Sequence, residues 1–302
     1  LGSRNINKNE TKRCFILSSV DIPLISRWHT PLLQAKSVVK MKILVTGASG
    51  FIGQNLVKKL PTDWDIIKFD IKDYPDTRPK HLSFSNVNWV IHLGALSSTT
   101  EKDAKRVMDL NLAWSIELAE ECEKHNVNLQ WSSSASVYGN KYKCAVDENK
   151  AAQPLNLYAM SKYFFEEYMK LKSYEFTWQG FRYFNVYGPH EEHKGSQASP
   201  YTQFSKQASE TGVIRVFEGS ENYKRDFVHV DYVVDTHVKM IQKKESGIFN
   251  LGTGSTRSFL DVAKEIATIH NARIETIPFP EHLKSHYQEY THADMNKLSM
   301  IL

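Results

Sequence analysis

Residues 42–60 read KILVTGASGFIGQNLVKKL, and this pattern predicts a strand, a phosphate loop and a helix in succession. Ile43, Leu44, Val45 and Thr46 form a short, largely apolar run of the kind that buries in a parallel sheet, and Phe51, Ile52, Leu56, Val57 and Leu60 recur at helical spacing. Between them, Gly47 suits a tight turn in which a Cβ would clash. Gly50 lets the backbone approach a pyrophosphate, and Gly53 lets the helix pack on the strand. Amides exposed at the helix start would hold phosphates without a lysine. Ordinary strand-to-helix turns also carry glycines, so the triplet takes its meaning from the residues downstream of it.

A second strand over 64–69 (WDIIKF) ends at Asp70. A carboxylate about 20 positions after the glycines is placed to accept hydrogen bonds from an adenosine ribose, which favours NAD. Lys68 and Lys72 beside it could admit NADP. The polar stretch 71–85, with Pro75 and Pro79, is too short for a full helical crossover. Residues 88–93 (NWVIHL) read as a third strand running into Gly94 and Ala95, and 103–125 as one long helix in which Asn111 could anchor backbone near the site. Residues 128–134 (NLQWSSS) form the next strand, whose serines emerge at the C-terminal edge where open α/β sheets bind ligands.

Tyr158 and Lys162 then open a helix, four residues apart and on one face. An ammonium near a phenol favours the phenolate and should lower its pKa, while Ser134 could bind the same substrate oxygen. The next strand, over 181–185, leaves the core at Gly188-Pro189 for a polar loop with His190, Glu191, Glu192, His193 and Lys194. No second ligand cluster accompanies this loop, so no metal is expected.

The 302 residues, 41% hydrophobic and 24% charged, suit a globular protein with a large core. The net charge of +4 divides unevenly: residues 1–40 carry seven Lys/Arg against two acidic residues, which leaves −1 for the rest. Nucleic acid is therefore not an expected partner. Residues 1–40 show no clean period and are expected to be a leader outside the core, non-native or upstream of a natural start at Met41. No stretch has the roughly 20 apolar residues that span a bilayer. Cys14, Cys122 and Cys144 give neither a disulfide framework nor metal spacing, in keeping with a cytoplasmic location.

TGxxGxxG, a serine strand running into VYG (132–139) and YxxxK together resemble the extended short-chain dehydrogenase/reductase superfamily. That resemblance implies a Rossmann fold binding NADP, or NAD, with Ser134, Tyr158 and Lys162 as the catalytic set. The later stretches FRYFNVYGPHEEHKGSQAS (181–199), FEGSENYKRDFVHV (217–230), SGIFNLGTG (246–254) and IPFPEHLKSHYQ (277–288) resemble the ADP-L-glycero-D-manno-heptose 6-epimerase family. What this implies is epimerisation at C6 of an ADP-heptose in lipopolysaccharide core synthesis, with Tyr158 and Lys194 as acid/base groups on opposite faces and Lys162 holding the nicotinamide ribose. It implies cofactor contacts at Gly47, Ser49, Gly50, Phe51, Ile52, Gly53, Asp70, Ile71, Leu93, Gly94, Ala95, Asn111, Tyr158, Lys162 and Val186. Nucleotide-sugar contacts map onto Ser134, Asn185, Ser196, Gln203, Phe217, Glu218, Gly219, Ser220, Arg225 and Tyr287. Arg225 suits a diphosphate because its planar fork donates two hydrogen bonds at once.

The sequence departs from the family pattern in places. Gln203 stands where a histidine is usual, Leu110 replaces an asparagine beside Asn111, the region after Asp70 is short, and the chain stops soon after ADMNKL (293–298). The expected architecture is α/β: a Rossmann-type, doubly wound parallel sheet over 41–185 with 226–252 returning to it, and a smaller α/β substrate-binding domain mainly within 186–302. A homo-oligomer without membrane attachment is expected. Two alternatives stay open. One is another NAD(P)-dependent nucleotide-sugar epimerase, dehydratase or reductase; the other is a non-catalytic dinucleotide-binding protein.

Overall fold

A computed structural model describes residues 40–281 and 288–302. The expectation for residues 1–40 as a leader falls almost wholly outside them, as does the substrate contact expected at Tyr287.

The first apolar run becomes strand β1 (Lys42–Thr46), followed by helix α1 (Phe51–Lys59) and strand β2 (Asp65–Phe69). β3 (Trp89–His92), β4 (Asn128–Ser134), β5 (Trp178–Tyr183) and β10 (Gly247–Leu251) complete a sheet of order β10-β5-β4-β3-β1-β2. Every neighbouring pair is parallel. Apart from the edge strand β2, the strands are buried almost throughout because helices cover both faces. Trp114, Leu118, Cys122, Phe165 and Met169 pack on one side, and Leu56, Leu60, Val230, Val234 and Ile241 on the other. The sheet is thus doubly wound, and its chain order reverses at β1. Ligands of such sheets sit outside the strand ends at that point.

Two local expectations change. The stretch 103–125 is α2 (Ala104–Val107), a π-helical turn over Met108–Ala113, and α3 (Trp114–His125). The turn buries Asn111, whose side chain would face elsewhere at regular α-helical pitch. The strand expected over 181–185 starts earlier and stops at Tyr183. A separate strand β6 (Asn185–Tyr187) then pairs in parallel with β9 (Phe227–His229).

Outside the main sheet, β7 (Val213–Phe217) pairs in parallel with β12 (Arg273–Ile277), and β8 (Lys224–Arg225) pairs antiparallel with β11 (Arg257–Ser258). Helices α5 (Pro200–Thr211) and α7 (Phe259–His270) share a core with them through Phe204, Ile214, Val216, Val262 and Ile266. Helix α4 (Leu157–Lys170) and helix α6 (Val230–Ile241) flank the main sheet. No helix among the described residues is long and apolar enough to cross a membrane.

Candidate active site

The loop after β1 meets the loop after β3. Gly47 has φ +72°, and a Cβ on it would lie 2.4 Å from the Gly94 nitrogen. A Cβ on Gly53 would lie 2.1 Å from the Gly47 carbonyl oxygen. These absent side chains let the turn close, and the start of α1 carries no side-chain cap. The Gly50 amide closes the turn on the Gly47 carbonyl at 3.1 Å, so the helix-start donors facing a dinucleotide pyrophosphate are the amides of Phe51 and Ile52. The chain fits such a group.

Asp70 ends β2 and is buried. One carboxylate oxygen accepts from the Ser49 amide at 3.1 Å and the other from the Lys72 amide at 3.0 Å, so Asp70 ties the glycine loop to the second strand. Ile71 packs into the core beside it. Leu93, Ile52 and Val186 pack against the core of Phe181, Val228 and Leu251, and Ala95 lies partly buried just beyond Gly94. Asn111 accepts from the Leu96 amide at 2.8 Å and donates to the Leu96 carbonyl at 3.0 Å and to Ser161 Oγ at 3.1 Å. It pins the backbone after β3 to the helix that carries Tyr158.

Helix α4 starts at an Asn156 cap, whose side chain accepts from the Ala159 amide at 2.9 Å. Tyr158 and Lys162 thereby face the end of β4. Lys162 Nζ lies 5.9 Å from the centre of the Tyr158 ring and donates to Ser132 Oγ at 3.3 Å. Ser134 Oγ accepts from the Ser136 amide at 3.1 Å and from Ser136 Oγ at 2.9 Å. With its acceptor side filled, the Ser134 hydroxyl directs its own proton to the Tyr158 oxygen, with which it is hydrogen-bonded. Ser136 is not among the residues expected at the site.

The electrostatics correct one expectation. Burial raises the Tyr158 phenol above its ordinary value, opposed only by the Ser134 hydrogen bond, instead of the neighbouring ammonium lowering it. Burial also brings Lys162 down to about 8, against the opposing pull of Glu166. His92, between Thr46 Oγ1 at 2.6 Å and Ser115 Oγ at 2.9 Å, falls to about 3 through burial and the nearby Lys162. At neutral pH the phenol is thus protonated, as is most of Lys162, and it is suited to donating a hydrogen bond or proton.

One turn beyond Lys162 on α4 lies Glu166, which no sequence motif marks. Its carboxylate receives Arg182 of β5, with Nη2 at 2.6 Å and Nε at 3.0 Å, and Ser133 Oγ of β4 at 2.5 Å. This buried pair locks the helix of Tyr158 and Lys162 to the strand of Ser134. The only sequence signal for it is the i, i+4 spacing of Lys162 and Glu166.

The loop after β6 carries Lys194 on a 3₁₀ turn spanning Glu192–Gln197. Its ammonium lies 3.4 Å from a Glu191 oxygen and 4.9 Å from the centre of the Phe51 ring, which brings it to the glycine loop. Gln203 donates to the Ala198 carbonyl at 2.6 Å and the Ser196 carbonyl at 3.3 Å, so its amide braces this turn. Ser196 itself is exposed. Asn185 accepts from Thr291 Oγ1 at 3.1 Å.

Phe217, Glu218, Gly219 and Ser220 form a turn after β7, closed by the Ser220 amide on the Phe217 carbonyl at 3.0 Å, with Gly219 at φ +80°. The Leu260 amide donates to the Ser220 carbonyl at 3.4 Å, and the Arg225 guanidinium lies 5.4 Å from the centre of the Phe259 ring. The turn and Arg225 therefore meet at the start of α7 as a second cluster. Asp226 is wholly buried and holds this side together. Its carboxylate accepts from the Thr253 amide at 2.7 Å, the Gly254 amide at 3.0 Å and the Ala293 amide at 3.2 Å. It falls within the stretch 217–230, but no spacing marks its role, because its partners lie 27 to 67 residues away.

The sequence model of the NAD dependent epimerase/dehydratase family matches residues 43–252. Among solved structures, the ADP-L-glycero-D-manno-heptose-6-epimerase of Helicobacter pylori is 25% identical with a TM-score of 0.76, over 87% of this chain and 90% of that one. The UDP-glucose 4-epimerase of Thermotoga maritima, solved with UDP-glucose, is 25% identical with a TM-score of 0.74, over 86% and 92%. The UDP-N-acetylglucosamine 4-epimerase of Methanobrevibacter ruminantium, at 21% identity and a TM-score of 0.78 over 87% and 92%, shares the fold.

Proposed function

Because the chain belongs to the NAD dependent epimerase/dehydratase family, we propose that it is an ADP-glyceromanno-heptose 6-epimerase, interconverting the D-glycero and L-glycero epimers with a tightly held NADP. The observation that carries this reading is the position of Lys194. It belongs to the stretch 181–199, which resembles the heptose epimerase family, and its ammonium reaches Phe51 of the glycine loop. The likeness to the Helicobacter heptose epimerase supports the same assignment.

In this reading the glycine loop approaches the pyrophosphate at Gly50 and binds it through the amides of Phe51 and Ile52, Asp70 faces the adenosine ribose, and Lys162 faces the nicotinamide ribose. The bound nicotinamide supplies reversible hydride transfer at C6. Tyr158 exchanges a proton with the C6 oxygen on one face of the sugar side arm, and Ser134 turns its proton from the phenol to hydrogen-bond the same oxygen. Once C6 is a ketone, the side arm rotates, and Lys194 exchanges the proton for the opposite face. The nucleotide and sugar are bound by Asn185, Ser196, Gln203, the turn from Phe217 to Ser220, Arg225 and Tyr287. A cytoplasmic homo-oligomer is part of the same proposal.

A UDP-hexose epimerase is the second reading, favoured by equal identity to the Thermotoga enzyme. The test incubates purified protein, without added cofactor, with ADP-D-glycero-D-manno-heptose and separately with UDP-glucose. Proton NMR follows C6 of the first and C4 of the second, while mass spectrometry identifies any dinucleotide released on denaturation. Conversion of the heptose alone, with NADP recovered, supports the proposal. Conversion of UDP-glucose alone replaces it with the second reading.

A further inference from the structure

Glu191 lies immediately before the turn that carries Lys194, and the side chain is 1% exposed. Its carboxylate is held by α5 independently of that lysine. One oxygen accepts from the Ser199 amide at 2.8 Å, and the other from Ser199 Oγ at 2.6 Å and Thr202 Oγ1 at 2.8 Å. Ser199 is the N-cap of α5 and Thr202 belongs to its first turn, so the negative charge also sits at the favourable end of a 12-residue helix. Three neutral donors and a helix terminus make this a rigid anchor.

Lys194 is attached to that anchor loosely. Its ammonium is 3.4 Å from one Glu191 oxygen, well beyond the hydroxyl contacts, and its other neighbour is the face of Phe51 at 4.9 Å. The side chain remains 25% exposed. Backbone geometry keeps the base of the side chain in place: the Lys194 amide donates to the Glu191 carbonyl at 3.0 Å, and Gly195 turns the chain at φ +53°. The carboxylate therefore keeps its partners if the ammonium leaves, and the ammonium has one place to return to.

We propose that Glu191 is the positioning residue for Lys194. It docks the ammonium against the glycine loop at rest and releases it to the substrate without itself losing its hydrogen bonds. This rests on Lys194 being an acid/base group of the proposed reaction. Gln203, also on α5, braces the same turn through the Ser196 and Ala198 carbonyls.

The test is a double-mutant cycle between Glu191→Gln and Lys194→Met, read in kcat and KM, together with reductive methylation of Lys194 followed by peptide mass spectrometry. A glutamine presents an amide donor to donors on α5 and removes the charge facing Lys194. We expect Glu191→Gln to lower kcat about tenfold with KM changed less than threefold, to label Lys194 several times faster, and to cost nothing further in the Lys194→Met background. Glu191→Asp, which keeps the charge but withdraws it by one methylene, should show a smaller kcat loss of the same kind, and it carries the test if the glutamine variant does not fold. Labelling needs no substrate, so it separates the two claims. Unchanged Lys194 labelling, or kcat losses that multiply fully in the double variant, overturns the positioning role while leaving the reaction standing. A Lys194→Met variant with wild-type activity overturns both.

Discussion

Glu166 and Glu191 are hidden to the same degree, at 0% and 1% exposure, yet their charges are met in different ways. Glu166 is paired with Arg182, itself 2% exposed, and the pair joins a helix to two strands of the main sheet. Glu191 is met by an amide and two hydroxyls at a helix start, with its lysine at the rim. The first arrangement has no movable member, because parting either ion would strand a charge in the interior. The second lets its cation go. The half of the site that must hold Ser134, Tyr158 and Lys162 in register is thus built as a fixed block, and the half that must reach a substrate is built around a detachable contact.

The largest test of this contrast breaks the fixed pair. Arg182→Leu leaves Glu166 buried with Ser133 as its remaining hydrogen-bond partner and Lys162 as an opposing charge, and unfolding in urea should show a loss of about 3–5 kcal/mol. A change under about 1 kcal/mol would mean that the pair does not anchor α4. Next in size, Tyr158→Phe removes the hydroxyl that donates to the substrate and leaves the block intact. Epimerisation should fall by about two powers of ten, with the melting temperature unchanged; wild-type turnover would remove Tyr158 from its role.

The third test asks whether the main sheet is as dry as its hydrogen bonds imply. His237, between Gln130 at 2.7 Å and Tyr183 at 2.5 Å, is brought by burial to about 3, as His92 is. Both folded values lie below the ordinary histidine value of about 6.5, so the unfolded chain binds protons that the folded chain refuses. Their contribution is fully present above pH ~6.5 and is lost as pH falls toward about 3. Denaturant midpoints should drop through that window, and His237→Gln should flatten the slope there. An identical slope in the variant would show that His237 is not held neutral.

Much of the fixed half is legible in the sequence because its signals are local. The glycines at 47, 50 and 53 declare a turn and a close packing within seven residues, and Tyr158 and Lys162 share a face through helical pitch alone. Contacts that the fold brings together from afar are hidden even at the main sheet. Asn250 accepts from Tyr138 at 2.7 Å and donates to the Val146 carbonyl at 2.7 Å, contacts that span 112 and 104 residues, and no spacing rule reaches that far. Glu191 reads as part of a polar loop because its hydroxyl partners lie beyond the loop, 8 and 11 residues on. The direction of the Tyr158 shift is hidden for a related reason: the charge of Lys162 is visible in the sequence, whereas the burial that outweighs it belongs to the fold.

The most direct test of the central claim uses ADP-D-glycero-D-manno-heptose carrying deuterium at C6, incubated with the protein in ordinary water without added cofactor and followed at C6 by proton NMR. Transient oxidation and return of the same hydride predicts the L-glycero epimer with deuterium kept at C6. An epimer that has taken a solvent proton at C6, or an unchanged sugar in a preparation that holds its dinucleotide, would contradict it.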